Sequence, residues 1–239
     1  MIIYPAMDLM AGRAVRLKQG RFEDQTIYST SPAEALHAFV GAGAEWAHIV
    51  DLDGARAKAP VQHELIASLA RGANLKLQVG GGFRTREQVA RMLDAGVARV
   101  VIGSLAVKDP RLVRQWVDEF GPERLTLSVD VRMSEQTPIV AVSGWTETSE
   151  LTLWDVTALY PNARHLLLTD IGRDGMLAGP NFELLNEAVA RLPNLRIQAS
   201  GGVTSIADLA RLRTDGAIIG KAMWEGLIPL QEAMSLASA

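Results

Sequence analysis

Short apolar runs alternate with longer stretches of helical periodicity from one end of the chain to the other. The pattern predicts strands at about residues 2–8, 46–51, 75–80, 97–103, 124–130, 164–170, 195–200 and 216–220. Helices are predicted between and after them, at about 31–43, 61–72, 86–94, 110–119, 151–160, 181–191, 205–213 and 229–237. Several strand runs are apolar with little alternation, Val100-Val101-Ile102 among them, as expected of parallel strands buried on both faces. Ser31-Pro32 and Asp109-Pro110 each place a capping residue before a first-turn proline, and Asn181 suits the cap of the sixth helix.

The pattern also repeats. Leu77-Gln78-Val79-Gly80-Gly81-Gly82 and Ile197-Gln198-Ala199-Ser200-Gly201-Gly202 each lead into a helical run, and the second copy lies 120 residues after the first. Asp51 finds its echo in Asp170, 119 residues on, and Asp8 in Asp130, 122 residues on. Offsets this constant point to a duplicated half-structure. Eight strands alternating with eight helices fit an α/β fold of the (β/α)8 TIM-barrel type, built from two half-barrels. An open doubly wound sheet also alternates, but it gives no reason for a half-chain repeat that ends after the fourth unit. No linker or low-complexity stretch interrupts the pattern, so residues 1–239 are expected to form one domain.

Composition narrows the function. Of 239 residues, 48% are apolar, enough for a large core. The net charge of −3 and the lack of a long basic run argue against nucleic acid as a partner. With no cysteine there is neither disulfide nor thiolate chemistry, which fits a cytoplasmic location. The first residues lack the features of a signal peptide, and no apolar run reaches the ~20 residues needed to span a bilayer. The four histidines, His37, His48, His63 and His165, are scattered on strand and helix bodies, so no metal site is expected.

In such a barrel the active site forms at the C-terminal ends of the strands. Glycines end neighbouring strands three and four (Gly80 to Gly82, Gly103-Ser104) and again strands seven and eight (Ser200-Gly201-Gly202, Gly220-Lys221). Glycine lets backbone N–H groups approach a phosphate closely, at the positive end of the following helix. Tight turns alone would also use glycine. Two such pairs related by the repeat favour a phosphate seat on each rim, and hence an elongated bisphosphate ligand. Asp8 and Asp130 end strands one and five and should face each other across the mouth, as a general base and a general acid would. Capping or pairing with Arg16 and Arg132 is the plainer role open to them. Asp51 suits a structural role, Thr169 could donate to a reacting atom, and Trp145, in the long loop after strand five, could stack on a planar ring. Lys221 suits phosphate better than a Schiff base.

Together these residues resemble the isomerase family of histidine biosynthesis that acts on phosphoribosylformimino-5-aminoimidazole carboxamide ribotide. The resemblance runs through Pro5-Ala6-Met7-Asp8-Leu9, Val15-Arg16-Leu17 and Val50-Asp51-Leu52-Asp53-Gly54-Ala55. It continues in Gln78 to Gly82, Val129-Asp130-Val131-Arg132, Gly144-Trp145, Thr169-Asp170, Arg173-Asp174-Gly175 and Ser200-Gly201-Gly202, and so covers essentially the whole chain. It implies an Amadori rearrangement by an aldose–ketose isomerase, without metal or organic cofactor and with a monomer as the family precedent. In it Asp130 would be the acid, Asp8 the base and Thr169 an assistant. Arg16 and Arg84 would bind phosphate or carboxamide groups, Trp145 would close over the imidazole, and Gly81, Gly82, Gly103, Ser104, Asp170, Gly175, Ser200, Gly201, Gly202, Gly220 and Lys221 would complete the substrate site. Three rivals differ: the cyclase subunit of imidazole glycerol phosphate synthase, which typically has Lys at the position of Arg16 and lacks the Gly144-Trp145 loop; a dual-specificity isomerase that also takes phosphoribosyl anthranilate; and a barrel that only binds a bisphosphate. The chain departs from the family at Gly172, where Ser is usual, and in a shortened connection over Leu212 to Gly220.

Overall fold

The computed structural model describes residues 1–18, 21–28 and 30–237, and side chains other than those of residues 16–25. Its strands are β1 (Ile2–Met10), β2 (Arg13–Lys18), β3 (Arg21–Ile27), β4 (Trp46–Asp51), β5 (Lys76–Gly80), β6 (Arg99–Ile102), β7 (Leu125–Ser134), β8 (Thr137–Val142), β9 (Glu147–Thr152), β10 (His165–Asp170), β11 (Arg196–Ser200) and β12 (Gly216–Ile219). The parallel strands run in the order β1, β4, β5, β6, β7, and β10, β11, β12 return to β1, with β10 also paired to β7. The ring is closed. This is the (β/α)8 TIM barrel expected from the alternation, and β1 and β7 stand four strands apart in either direction around it.

All eight predicted strands and helices are present, with small shifts at their ends. Ser31 forms a full capping box with Glu34, Asp109 accepts from the Leu112 N–H, and Asn181 from the Leu184 N–H. The main additions are two antiparallel extensions. β2 and β3 follow β1, and β8 and β9 follow β7, so the first barrel strand of each half carries a strand pair on its C-terminal end. The fifth helix consequently starts later than predicted, at Leu153, because Leu151 and Thr152 belong to β9. Short helices at Leu52–Ala57, Ser104–Lys108 and Lys221–Trp224 were also not anticipated.

Strand alternation sorts the side chains into two cores. Ile3, Met7 and Leu9 of β1 are buried toward the helices, while Tyr4 turns into the barrel, where its hydroxyl accepts from Arg99 Nη1 at 3.2 Å. The barrel interior is unusually polar. Gln78 Nε2 donates to Gln198 Oε1 at 2.7 Å and Gln198 Nε2 returns a bond to Gln78 Oε1 at 3.0 Å, so the two repeat-related amides pair inside the barrel. Thr126 Oγ1 and Arg99 Nη1 also donate to Gln78 Oε1, and His48 Nδ1 lies 3.2 Å from Gln78 Nε2. Burial pushes the His48 pKa down to about 4, so its imidazole is neutral at pH 7. Beyond Arg99, at the N-terminal ends of the strands, Glu123 accepts from His165 Nε2 at 2.7 Å. That end is a structural floor, and the shortened Leu212 to Gly220 connection joins it there: Thr214 Oγ1 donates to the Gly216 carbonyl and Asp215 accepts from the Ile197 N–H.

Candidate active site

The two acids expected to do the chemistry lie on opposite walls. Thr126 reaches Gln78 inside the barrel, so alternation along β7 turns Ser128 and Asp130 inward as well, one and two steps nearer the mouth. The same parity from Tyr4 turns Asp8 inward on β1. Asp8 stands beside Val50 of β4, and Asp130 stands in register with Thr169 of β10.

Asp130 is enclosed. Its Oδ2 accepts from the Trp145 indole Nε1 at 2.9 Å, and the Thr169 hydroxyl donates to the same carboxyl. Both bonds favour the carboxylate, yet burial outweighs them and pushes the pKa above the ordinary aspartate range. The charge of Asp174, in the loop after β10, pushes in the same direction. A shift in this direction is the one a general acid requires. Asp174 is a third acid near the mouth to which sequence reasoning gave no role; its place in Arg173-Asp174-Gly175, just after a strand-end Thr-Asp, was the available signal.

Trp145 does not sit in an irregular loop. It lies in the four-residue turn between β8 and β9, where Ser143, Gly144 and Trp145 all have positive φ, at 58°, 66° and 72°. A left-handed conformation is unfavourable for residues with a Cβ, so other contacts must hold this turn.

The repeated glycines have a tight structural task. A Cβ on Gly81 would collide with the Asp51 carbonyl, and one on Gly201 would lie 3.1 Å from the Asp170 carbonyl. Gly82 packs likewise on the Gly54 carbonyl and Gly202 on the Gly179 carbonyl. Each Gly-Gly turn thus admits the backbone of the preceding unit's loop. Asp51 and Asp170 organise those loops: Asp51 accepts from the N–H groups of Gly54, Val61 and Gln62 at 2.7–2.8 Å, and Asp170 from Gly172 N–H at 2.9 Å and Asn181 Nδ2 at 2.8 Å. The structural role expected of Asp51 extends to Asp170. Gly172 serves it through its N–H, a contact that does not need the hydroxyl of Ser.

The glycines that follow β6 and β12 are arranged differently. Gly103 and Gly220 have nearly the same backbone (φ −94°, ψ −112° and φ −112°, ψ −98°), and each opens a short helix with no side-chain cap. The first-turn N–H groups there are suited to an anion. Ser104 Oγ accepts from the Ser143 N–H at 2.9 Å. Lys221 Nζ donates to the Gly175 carbonyl at 2.9 Å, tying the loop after β10 to that after β12. Arg84 is half-buried, with Nη1 on the Phe83 carbonyl. Arg16 lies in β2, but its side chain is outside the described residues.

Residues 2–229 match the family profile described as histidine biosynthesis protein. The chain belongs to that family. Family members with near-complete overlap include a protein of Stenotrophomonas maltophilia that is 47% identical over 240 residues, 98% of each chain. One from Alteromonas mediterranea is 45% identical over 240 residues, and one from Xanthomonas campestris 45% over 242, again with 98% of each chain covered. All three are named 1-(5-phosphoribosyl)-5-((5-phosphoribosylamino)methylideneamino)imidazole-4-carboxamide isomerases. The structure bonds Trp145 to Asp130, sets Thr169 beside it in register and leaves Asp8 on the facing wall. Among the described residues, no helix is long and apolar enough to cross a membrane.

Proposed function

We propose that the protein catalyses the Amadori rearrangement of the phosphoribosylformimino-5-aminoimidazole carboxamide ribotide in histidine biosynthesis, an aldose–ketose isomerisation. The carrying observation is the 45–47% identity, end to end, to relatives that bear that isomerase name. The geometry supports a division of labour. Asp130, its pKa raised by burial, donates to the ribose ring oxygen as the C1–O bond opens to a protonated imine. Asp8, across the mouth, accepts the proton from C2. The electron pair of that C–H bond moves into the imine, and the resulting enolamine tautomerises to the ketone. The imine is itself the electron sink, so the step requires neither metal nor organic cofactor. Each acid–base partner is worth on the order of 10²–10⁴ in rate.

Thr169 orients the Asp130 carboxyl, and Trp145 leaves Asp130 to cover the imidazole as substrate enters. One phosphate sits at Gly81, Gly82, Gly103 and Ser104 and the other at Ser200, Gly201, Gly202 and Gly220, with Arg16, Arg84, Asp170, Gly175 and Lys221 shaping the loops or binding polar groups between them. The whole chain works as one barrel domain and as a cytoplasmic monomer. Steady-state turnover of this ribotide and of phosphoribosyl anthranilate, measured side by side on the purified protein, tests the assignment. Turnover of the first alone is expected; turnover of both makes the enzyme dual-specific. Binding of both without turnover would reduce the protein to a bisphosphate-binding barrel, and cyclase activity with an added amidotransferase would replace the assignment altogether.

A further inference from the structure

The turn that carries Trp145 is held in part by Ser104 and in part by groups that the reaction itself does not use. Lys108, at the end of the helix Ser104–Lys108, donates from Nζ to Ser143 Oγ at 2.8 Å and lies 3.3 Å from Glu147 Oε2. Ser143 Oγ donates in turn to Glu147 Oε2 at 2.9 Å, closing a three-membered ring of contacts across the base of the turn. Thr146 Oγ1 bonds the Ser143 carbonyl at 2.8 Å, so both ends of the turn are fixed. Lys58, from the loop after β4, adds a second positive charge near Glu147. Within this frame Ser143, Gly144 and Trp145 adopt three consecutive left-handed conformations, and the last delivers the indole N–H to Asp130. Ser143 and Trp145 each carry a Cβ, so without external bonds this backbone would relax to right-handed or extended forms.

We propose that Lys108, Ser143 and Glu147 form a latch that positions Trp145 at the mouth, so that Lys108 and Glu147 govern substrate capture without touching substrate. The latch rests on the isomerase reading only for its kinetic consequence; its structural consequence is independent of any substrate. Lys108 and Glu147 are both substantially exposed, with side chains 49% and 61% accessible. An ion pair of that kind is modest and screened by salt, which suits a turn that must release Trp145 from Asp130 and re-form over a ligand.

The experiment uses full-length protein labelled with 5-fluorotryptophan. It contains five tryptophans, and the ¹⁹F resonance missing in Trp145→Phe identifies Trp145. Lys108→Met and Glu147→Gln are expected to move the Trp145 resonance toward its solvent position while the other four stay in place. The exchange Lys108→Glu with Glu147→Lys should restore it, because the serine hydroxyl between them can donate to one partner and accept from the other. With ribotide as substrate, Lys108→Met should raise KM about two- to fivefold and leave kcat nearly unchanged, and added salt should raise KM by a larger factor for the parent than for the variant. A Trp145 resonance unmoved in both single variants would overturn the latch whatever the turnover. Absence of ribotide turnover in the parent would instead overturn the isomerase assignment and leave the spectroscopic arm intact.

Discussion

The two halves of the barrel share their scaffold and part company at the barrel mouth. In each half an aspartate at the end of the second strand, Asp51 or Asp170, braces its own loop through backbone N–H groups, and the next Gly-Gly turn packs on that loop. In each half the first strand ends in an inward acid and continues into antiparallel strands. Beside those acids the copies differ: Asp8 is in register with aliphatic Val50, whereas Asp130 is in register with Thr169 and is also bonded by Trp145. A duplicated frame can thus place two identical side chains symmetrically, and different residues next to them give the two carboxyls different surroundings.

The strongest way to break the comparison is to remove each acid in turn. Asp8→Asn and Asp130→Asn should each lower turnover by at least ~10² while substrate binding stays within about tenfold. Turnover of Asp8→Asn equal to the parent would reject Asp8 as the base. Stability should separate the two acids as well. Burial raises the Asp130 pKa above its unfolded value, so between those values the folded protein holds a proton that the unfolded chain has released. Its contribution therefore falls as pH rises through that window. Asp130→Asn should gain stability relative to the parent at pH 8 and gain less at pH 4, read from thermal unfolding at the two pH values.

The glycine turns test whether the halves are mechanically equal. At φ 118°, Gly81 has the Asp51 carbonyl squarely in the way of a Cβ; at φ 86°, Gly201 has 3.1 Å to the Asp170 carbonyl. Gly81→Ala should cost about 2 kcal/mol or more and Gly201→Ala about 1. In a domain of this size the first corresponds to a loss of roughly 4–8 °C in Tm and the second to about half of that. Equal losses would mean that the loops yield equally and the static difference is unimportant.

Much of this was legible beforehand because it follows from period and spacing. The barrel strands announced themselves as apolar runs, and an inward acid at the end of strands one and five followed from where those runs stop. The glycines were legible as positions but not as causes: that Gly81 and Gly82 admit a neighbouring loop depends on backbone brought close only by the closed ring. The β8–β9 pair was missed because its turn is built on left-handed Ser143 and Trp145 and held by Lys108 at the end of a distant helix, although Ser143-Gly144 is itself a turn signal. The engagement of Lys221 with the Gly175 carbonyl is a contact across 46 positions that no local pattern encodes.

The amide pair at the centre sharpens the comparison on a smaller scale. Gln78 and Gln198 exchange bonds with each other, but Gln78 also serves Thr126, Arg99 and His48. Gln78→Leu strands more buried polar groups and should cost about 2 kcal/mol, Gln198→Leu about 1. The double variant should cost less than the two singles together, since each single change already sacrifices the shared bonds. Chemical denaturation of the four proteins gives the cycle, and strict additivity would show that the reciprocal pair is not energetically coupled.

The finest test alters the residue in register with each acid. Thr169→Val keeps the shape of the side chain but withdraws a hydroxyl that favours the Asp130 carboxylate, so the acid should bind its proton more tightly and give it up less readily. Turnover is expected to fall about tenfold or less, with the basic limb of the pH–rate profile moved upward. Val50→Thr introduces a hydroxyl beside Asp8, where a donated bond favours the carboxylate and makes it a poorer proton acceptor, and the expected loss is under about threefold. If the two variants exchanged their effects, with Val50→Thr the more damaging and Thr169→Val neutral, the assignment of acid and base to the two walls would have to be reversed. The barrel would stand as described, because neither change touches the bonds that join its halves.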